Sequence, residues 1–199
     1  MNEVLEGTQE IQGTYRHALS IKEYHTLWKA GLLKERIELI AGVIYNMAPI
    51  GAKHITLTNL LTMELVKRVD PTKWTVQIQS SIQLNNHSEP EPDICILNKS
   101  AEELMNSNSP TASENVQMII EIANTTLRHD MTIKAPLYAK NNIVNYWIFD
   151  LKGKQLIIYS DPQEGRYQQK NTLIASDNRA VEILPGVILP VCNYLKKLR

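Results

Sequence analysis

Two carboxylates stand where apolar side chains would be expected. In "EPEPDICIL", residues 89–97, Asp93 follows Pro92 at the threshold of Ile94, Cys95, Ile96 and Leu97. In "MIIEIA" Glu121 lies inside the apolar run. Both runs are short and apolar, as strands buried on both faces are. Side chains alternate across a strand, so Ile120 and Ile122 face one way and Glu121 and Ala123 the other. An ionised carboxylate among such neighbours is costly unless it is paired or bound to a cation. Taken singly, each acid also suits a buried ion pair or a strand end in water. Taken together, two carboxylates on neighbouring strands can share one oxygen-seeking divalent ion, Mg²⁺ or Mn²⁺.

A second group lies in "TTLRHDMTIKAPLYAKNN", where Asp130, Lys134 and Tyr138 recur every four residues and would share one helix face. Asp130 and Lys134 at that spacing also make an ordinary ion pair worth only ~0.2–0.5 kcal/mol. On the functional reading, Lys134 reaches the space over Ala123 and sets its ammonium beside Glu121. Pro136 constrains this segment. In a helix begun near His129 it would lose a backbone bond and clash with the Thr132 carbonyl. The helix must start near Ala135, with Pro136 in its first turn, or it must kink.

Other chemistries find no support. There is no G-x-S-x-G elbow, no phosphate-cradling G-x-x-x-x-G-K-[ST] loop and no G-x-G-x-x-G. The five histidines, His17, His25, His54, His87 and His129, lack partners at metal-ligand spacing. Cys95 and Cys192 form no spacing motif, which argues against structural zinc and suits a reducing, cytoplasmic setting. Lys and Arg together number 21 and so do Asp and Glu. That balance speaks against a basic nucleic-acid coat while allowing a local basic groove. No run approaches the ~18 apolar residues of a membrane span, and the polar N-terminus has no secretory h-region.

The elements that must position these residues follow from the pattern. The 199 residues suit a single domain, with residues 1–18 as a loose N-terminal arm. Ser20 and Glu23 form a capping-box signature for a helix ending near Gly31. Ala41-Gly42 joins two β-branched runs as a tight hairpin. Apolar spacing from Ile55 to Val66 predicts a helix stopped by Asp70-Pro71. "WTVQIQSSIQL" alternates as a strand, and "NKSAEELMNSNSPTASEN" reads as loop with a short helix. "VNYWIFD", "KQLIIYS" and "RYQQK" read as strands, and the tail as a last strand and a short terminal segment. The class is α/β bordering on α+β, a mixed sheet flanked by helices with an extra N-terminal hairpin.

Pro92-Asp93 and Glu121 resemble the PD-(D/E)xK nuclease constellation. More closely, "IELIAGVIYNMAPIGAKH", "QSSIQLNNHSEPEPDICIL", "IIEIANTTLRHDMTIKAPLYAKNNIVNYWIFD" and "ILPGVIL" are similar, in order, to the Uma-type family of restriction endonucleases. The resemblance implies a restriction-endonuclease-like fold and metal-dependent cleavage of DNA. It implies that Asp93 and Glu121 hold Mg²⁺ or Mn²⁺. Lys134 would replace the lysine that the basic motif places two residues after the acid, where this chain has Ala123. Glu38 matches an acidic position in the first hairpin, with a supporting metal or water role, and His54 also matches the pattern.

Candidate backbone contacts to duplex DNA are Lys53, Lys67, Arg68, Lys73, Arg128 and Lys140. Cutting both strands would call for a homodimer, for which "VNYWIFD" offers an apolar surface. The alternative reading is a catalytically inactive nucleic-acid-binding or interaction protein that keeps the fold.

Overall fold

The computed structural model describes residues 8–11, 14–33, 36–107 and 111–198. In the segment expected as a loose arm, β1 (Thr8–Ile11) and β2 (Thr14–His17) pair as an antiparallel hairpin. Ser20 caps α1 (Ile21–Lys29) through the expected capping box with Glu23. β3 (Ile37–Ile40) and β4 (Val43–Asn46) form the second hairpin. Its turn residues, Ala41 and Gly42, both have positive φ, the geometry that matches strand twist in a two-residue hairpin. α2 (Ala52–Arg68) ends at Val69, which is extended, ahead of Asp70-Pro71.

The main sheet is built from β5 (Thr75–Ile78), β6 (Ile94–Leu97), β7 (Val116–Ala123), β8 (Asn145–Asp150), β9 (Gln155–Gln163) and β10 (Arg166–Ile174). Their spatial order is β10-β9-β8-β7-β6-β5. A short helix, α3 (Ala101–Met105), lies between β6 and β7. Only β7 and β8 run parallel. Parallel neighbours cannot be joined by a tight turn and need a crossover. Here it consists of α4 (Leu127–His129), a π turn (Asp130–Lys134) and α5 (Ala135–Lys140). The chain closes with the hairpin β11 (Val181–Leu184) and β12 (Val187–Leu189), then α6 (Val191–Leu195).

Alternation along β7 divides the core as expected. Ile120 and Ile122 pack with Leu57, Leu61 and Leu65 of α2 and with Val191 and Leu195 of α6. Ile119 and Ala123 face the other way, toward Tyr138, Tyr146 and the hairpin residue Ile40. Cys95 and Cys192 are free and buried.

The Pro136 conflict is resolved by a change of helix type. The Ala135 N–H bonds to the Asp130 carbonyl, five residues back, and α5 starts at Ala135 with the proline in its first turn. Widening one turn to i→i+5 bonding removes the need for a proline N–H and relieves the ring's crowding against the preceding turn.

Two expectations are corrected. "WTVQIQSSIQL" is a strand for only four residues, Thr75–Ile78. Gln79 turns to φ +43, and its N–H bonds to the Asp93 carbonyl. "VNYWIFD" is no surface: β8 lies between β7 and β9, and Tyr146, Trp147, Ile148 and Phe149 are buried. Its apolar run reflects burial on both faces of an inner strand.

The hairpin β3–β4 depends on Gly42. It combines φ +72 with close packing, and an added Cβ would lie 2.5 Å from the Ala18 Cβ, near that residue's backbone. Gly42→Ala should lower unfolding stability by about 1–3 kcal/mol, read from urea melts. An unchanged midpoint would disprove the constraint.

Candidate active site

The register of β6 on β7 brings the two acids together. Ile94 pairs with Ile120 in an antiparallel ladder, so Asp93, one residue earlier, falls beside Glu121, one residue later. The Asp93 N–H reaches the Glu121 Oε2 at 3.4 Å, and the Ile122 N–H donates to the Asp93 Oδ2 at 2.8 Å. His54, in the first turn of α2, sets its Nε2 2.9 Å from that same Oδ2. Its Nδ1 faces the Thr58 hydroxyl at 3.4 Å. The other Asp93 oxygen, Oδ1, accepts no hydrogen bond among the described residues.

Glu38 arrives from β3. The hairpin is stitched to the segment before β6 by three backbone bonds, Glu89 N–H to Leu39 O at 2.8 Å, Leu39 N–H to Glu89 O at 3.4 Å and Gly42 N–H to His87 O at 2.7 Å. This turns the Glu38 carboxylate toward the crossover, where its Oε2 lies 3.1 Å from the Lys134 Nζ. The same ammonium donates to the Glu121 Oε1 at 3.0 Å, and the Tyr138 hydroxyl donates to that oxygen, also at 3.0 Å. Lys134 and Tyr138 thus act from one helix face, as their spacing predicts. Asp130 is held by the Thr126 hydroxyl at 2.8 Å and makes no direct ion pair with Lys134.

Burial sets the electrostatics. Glu38, Glu121 and Lys134 are each 4% exposed and Asp130 is 3% exposed, so each charge must be balanced within the fold. Burial pushes the Lys134 ammonium toward neutrality, but Glu121, Glu38 and Asp130 outweigh it and hold its pKa above the usual lysine value. Burial likewise raises Glu38, yet Lys134 and His129 bring it below the ordinary carboxylate range. Glu121 goes the other way. Burial, with Asp93, Asp130 and Glu38 close by, lifts it well above that range against the pull of Lys134. Asp130 is raised as well, chiefly by burial. One ammonium therefore does not neutralise this cluster.

These groups line a cleft of about 350 Å³ that is open to solvent. It gathers Glu38, His54, Asp93, Glu121, Asp130 and Lys134 from separate stretches of chain. Sequence reading missed three further lining residues. His129 sets its Nε2 3.5 Å from the Glu38 Oε1 and packs edge-on against Tyr45, with ring centroids 5.0 Å apart. Glu91, two residues before Asp93, is raised by burial, with Arg36 the largest compensating charge. The doubled acid in "EPEPD" was the available signal for Glu91; His129 and Arg36 left none. Among the described residues no three His, Cys, Asp or Glu side chains form a closed metal-ligand set. Magnesium does not demand one, since it commonly binds through one or two carboxylates plus water and substrate oxygens. Of the expected backbone contacts, Arg68 pairs with Glu64, and Lys73 lies 3.6 Å from Asp70.

The fold is that of a restriction-endonuclease-like protein. A crystal structure from Anabaena variabilis ATCC 29413, described as "a putative nuclease belonging to DUF820", aligns with a TM-score of 0.66 and 14% identity. The alignment covers 91% of this chain and 99% of that one. At this identity the likeness is one of fold. The sequence matches the Uma2 family, described as "Putative restriction endonuclease", over residues 21–192, and the chain belongs to that family. No curated protein matches it.

Lys134→Met should cost about 3–5 kcal/mol at neutral pH, because Glu38 and Glu121 would stay buried without their shared cation. In the unaltered chain Glu38 is held low, so its contribution is present above the ordinary carboxylate range and lost as the pH falls through its lowered value. In the variant both acids can take protons as the pH falls, and the loss relative to the unaltered chain should shrink. Urea melts at pH 7.5 and pH 5 check this; a loss independent of pH would contradict the pairing.

Proposed function

We propose that the protein is a metal-dependent endonuclease that hydrolyses phosphodiester bonds of duplex DNA. The observation that carries this reading is the meeting of Asp93, Glu121 and the Lys134 ammonium on one open cleft, with Nζ 3.0 Å from the Glu121 Oε1. The residues fit a hard divalent ion. Among the described residues Asp93 keeps one oxygen without a hydrogen bond, the Glu121 Oε2 accepts only the long bond from the Asp93 N–H, and five carboxyl groups line the cleft. Asp93 and Glu121 would hold Mg²⁺ or Mn²⁺. When bound, such an ion supplies a more acidic water and charge relief at phosphorus.

The side chains have separable tasks. The Ile122 N–H and His54 fix the Asp93 carboxylate from one side, leaving its second oxygen for the ion. Tyr138 and Lys134 fix Glu121 through Oε1 and leave Oε2 lightly engaged. Glu38 anchors the Lys134 ammonium from the far side, so the amine is already oriented before a phosphate arrives. There it can hold the attacking water or meet the charge that grows on the phosphoryl oxygens. Asp130, through Thr126, steadies the π turn that carries the lysine. A placed amine beside an acid pair weighs against a binding protein that has lost its chemistry. A homodimer in the cytoplasm would supply the second centre needed to cut both strands.

Plasmid nicking with Mg²⁺ or Mn²⁺ tests this reading. Asp93→Ala and Glu121→Ala should each lower the rate at least ~100-fold, the order of effect of losing a charge-stabilising group. Each should also abolish the rise in melting temperature that Mn²⁺ gives the unaltered chain. Equal nicking by all three proteins would assign the activity to another centre or a contaminant.

A further inference from the structure

A second cleft, of about 640 Å³, lies beside the first, between the β3–β4 hairpin, the turn at 85–88 and the crossover from Thr132 to Asn141. Tyr45 lines both clefts, so one ring forms part of the wall between them. The π turn also borders both: Asp130 and Lys134 face the catalytic cleft, and Thr132 and Ile133 the second.

The two clefts have opposite charge. The first is lined by Glu38, Glu91, Asp93, Glu121 and Asp130. Among the described residues no carboxylate lines the second, which instead presents Arg16, His87 and Lys140. The His87 Nδ1 is tied to the Leu19 carbonyl at 3.0 Å. Neither Arg16 nor Lys140 makes an ion pair among the described residues. Two cations without an ion-pair partner among the described residues therefore stand over an apolar floor that includes Ile40, Val43 and Leu137.

We infer that this second cleft is a substrate subsite that seats a nucleotide flanking the scissile phosphate of the DNA strand, turned out of the duplex so that its base can enter. The inference rests on the nuclease reading above. A strand crossing the acidic cleft needs a cation there, and its next phosphate needs positive charge close by; Arg16 and Lys140 supply it. The flanking base meets the Tyr45 ring and the aliphatic floor, contacts that hold a base without reading its identity. The volume falls within the ~300–1,000 Å³ common for small-ligand sites, which suits a single nucleotide.

The test is fluorescence anisotropy of a labelled single-stranded oligodeoxynucleotide, with Ca²⁺ in place of Mg²⁺ so that binding is read apart from cleavage. Arg16→Ala combined with Lys140→Ala should weaken binding at least tenfold. It should also flatten the log–log salt dependence by about 1.4, at about 0.7 for each phosphate left without its cation. Lys152→Ala, an exposed cation on the turn after β8, should leave both quantities unchanged. Equal affinity and slope for the double variant, or no binding by the unaltered chain, overturns the subsite. Tighter binding of the ribose strand with the same dependence overturns the assignment to DNA. A chain that fails to nick plasmid yet loses strand binding in the double variant keeps the subsite and defeats the hydrolysis reading alone.

Discussion

One ammonium between two buried carboxylates is the constraint on which the cleft depends. The Lys134 Nζ sits 3.0 Å from Glu121 and 3.1 Å from Glu38, and all three side chains are nearly inaccessible. Removing such charges from water costs several kcal/mol per ion, and mutual attraction only repays this when geometry is good. A well-packed apolar trio would be at least as stable, so stability alone does not explain the arrangement. Outside the cleft Asp150 and Ser88 are buried polar groups that serve structure. Asp150 accepts the Lys152 and Gly153 N–H groups of the turn after β8, and Ser88 accepts the Ala41 N–H of the hairpin. The cleft is where buried carboxyl groups gather around a single ammonium.

Three separate stretches of chain must agree for the ammonium to be there. The β6–β7 register fixes Asp93 against Glu121, the hairpin fixes Glu38, and the crossover fixes Lys134. The first is held by a ladder inside a six-stranded sheet. The third rests on a single wide turn. Pro136 cannot complete an α-helical bond, and the chain answers with an i→i+5 turn in which Asp130 and Lys134 are both buried. π turns are enriched at functional sites because they re-aim side chains without ending the helix. Here the proline that seemed to threaten the lysine's placement sits at the start of α5, and the turn that accommodates it presents the amine to the cleft.

Much of this was legible because it is local. A carboxylate inside an apolar strand announces its own problem, and period-two alternation assigns it a face. Asp130, Lys134 and Tyr138 declare a shared face by their spacing. What could not be read is what depends on distant chain. His129 meets Glu38 only after the hairpin folds over the crossover, and its own spacing does not mark it as a cleft residue. The run "VNYWIFD" is equally apolar whether it forms an inner strand or an exposed patch; only its pairing with β7 and β9 decides. The pattern of "WTVQIQSSIQL" promised a longer strand than tertiary structure allows, since Gln79 spends its N–H on the chain beside Asp93.

The absent lysine at position 123 then has a physical explanation. A residue two places after Glu121 shares its face of β7. Ala123 is fully buried there, in the same cluster as Tyr138 and Tyr146. The Tyr138 hydroxyl and the Lys134 amine both converge on the Glu121 Oε1. A long cationic side chain at 123 would compete for the volume that these two groups fill. The amine thus keeps its destination while its backbone origin moves from the strand to the crossover. The cost is a change in what holds it. A lysine on β7 would be as fixed as the sheet, whereas Lys134 is only as fixed as the π turn, so events that loosen the crossover act on the amine and on the Glu121 oxygen it holds, while the β6–β7 register stays.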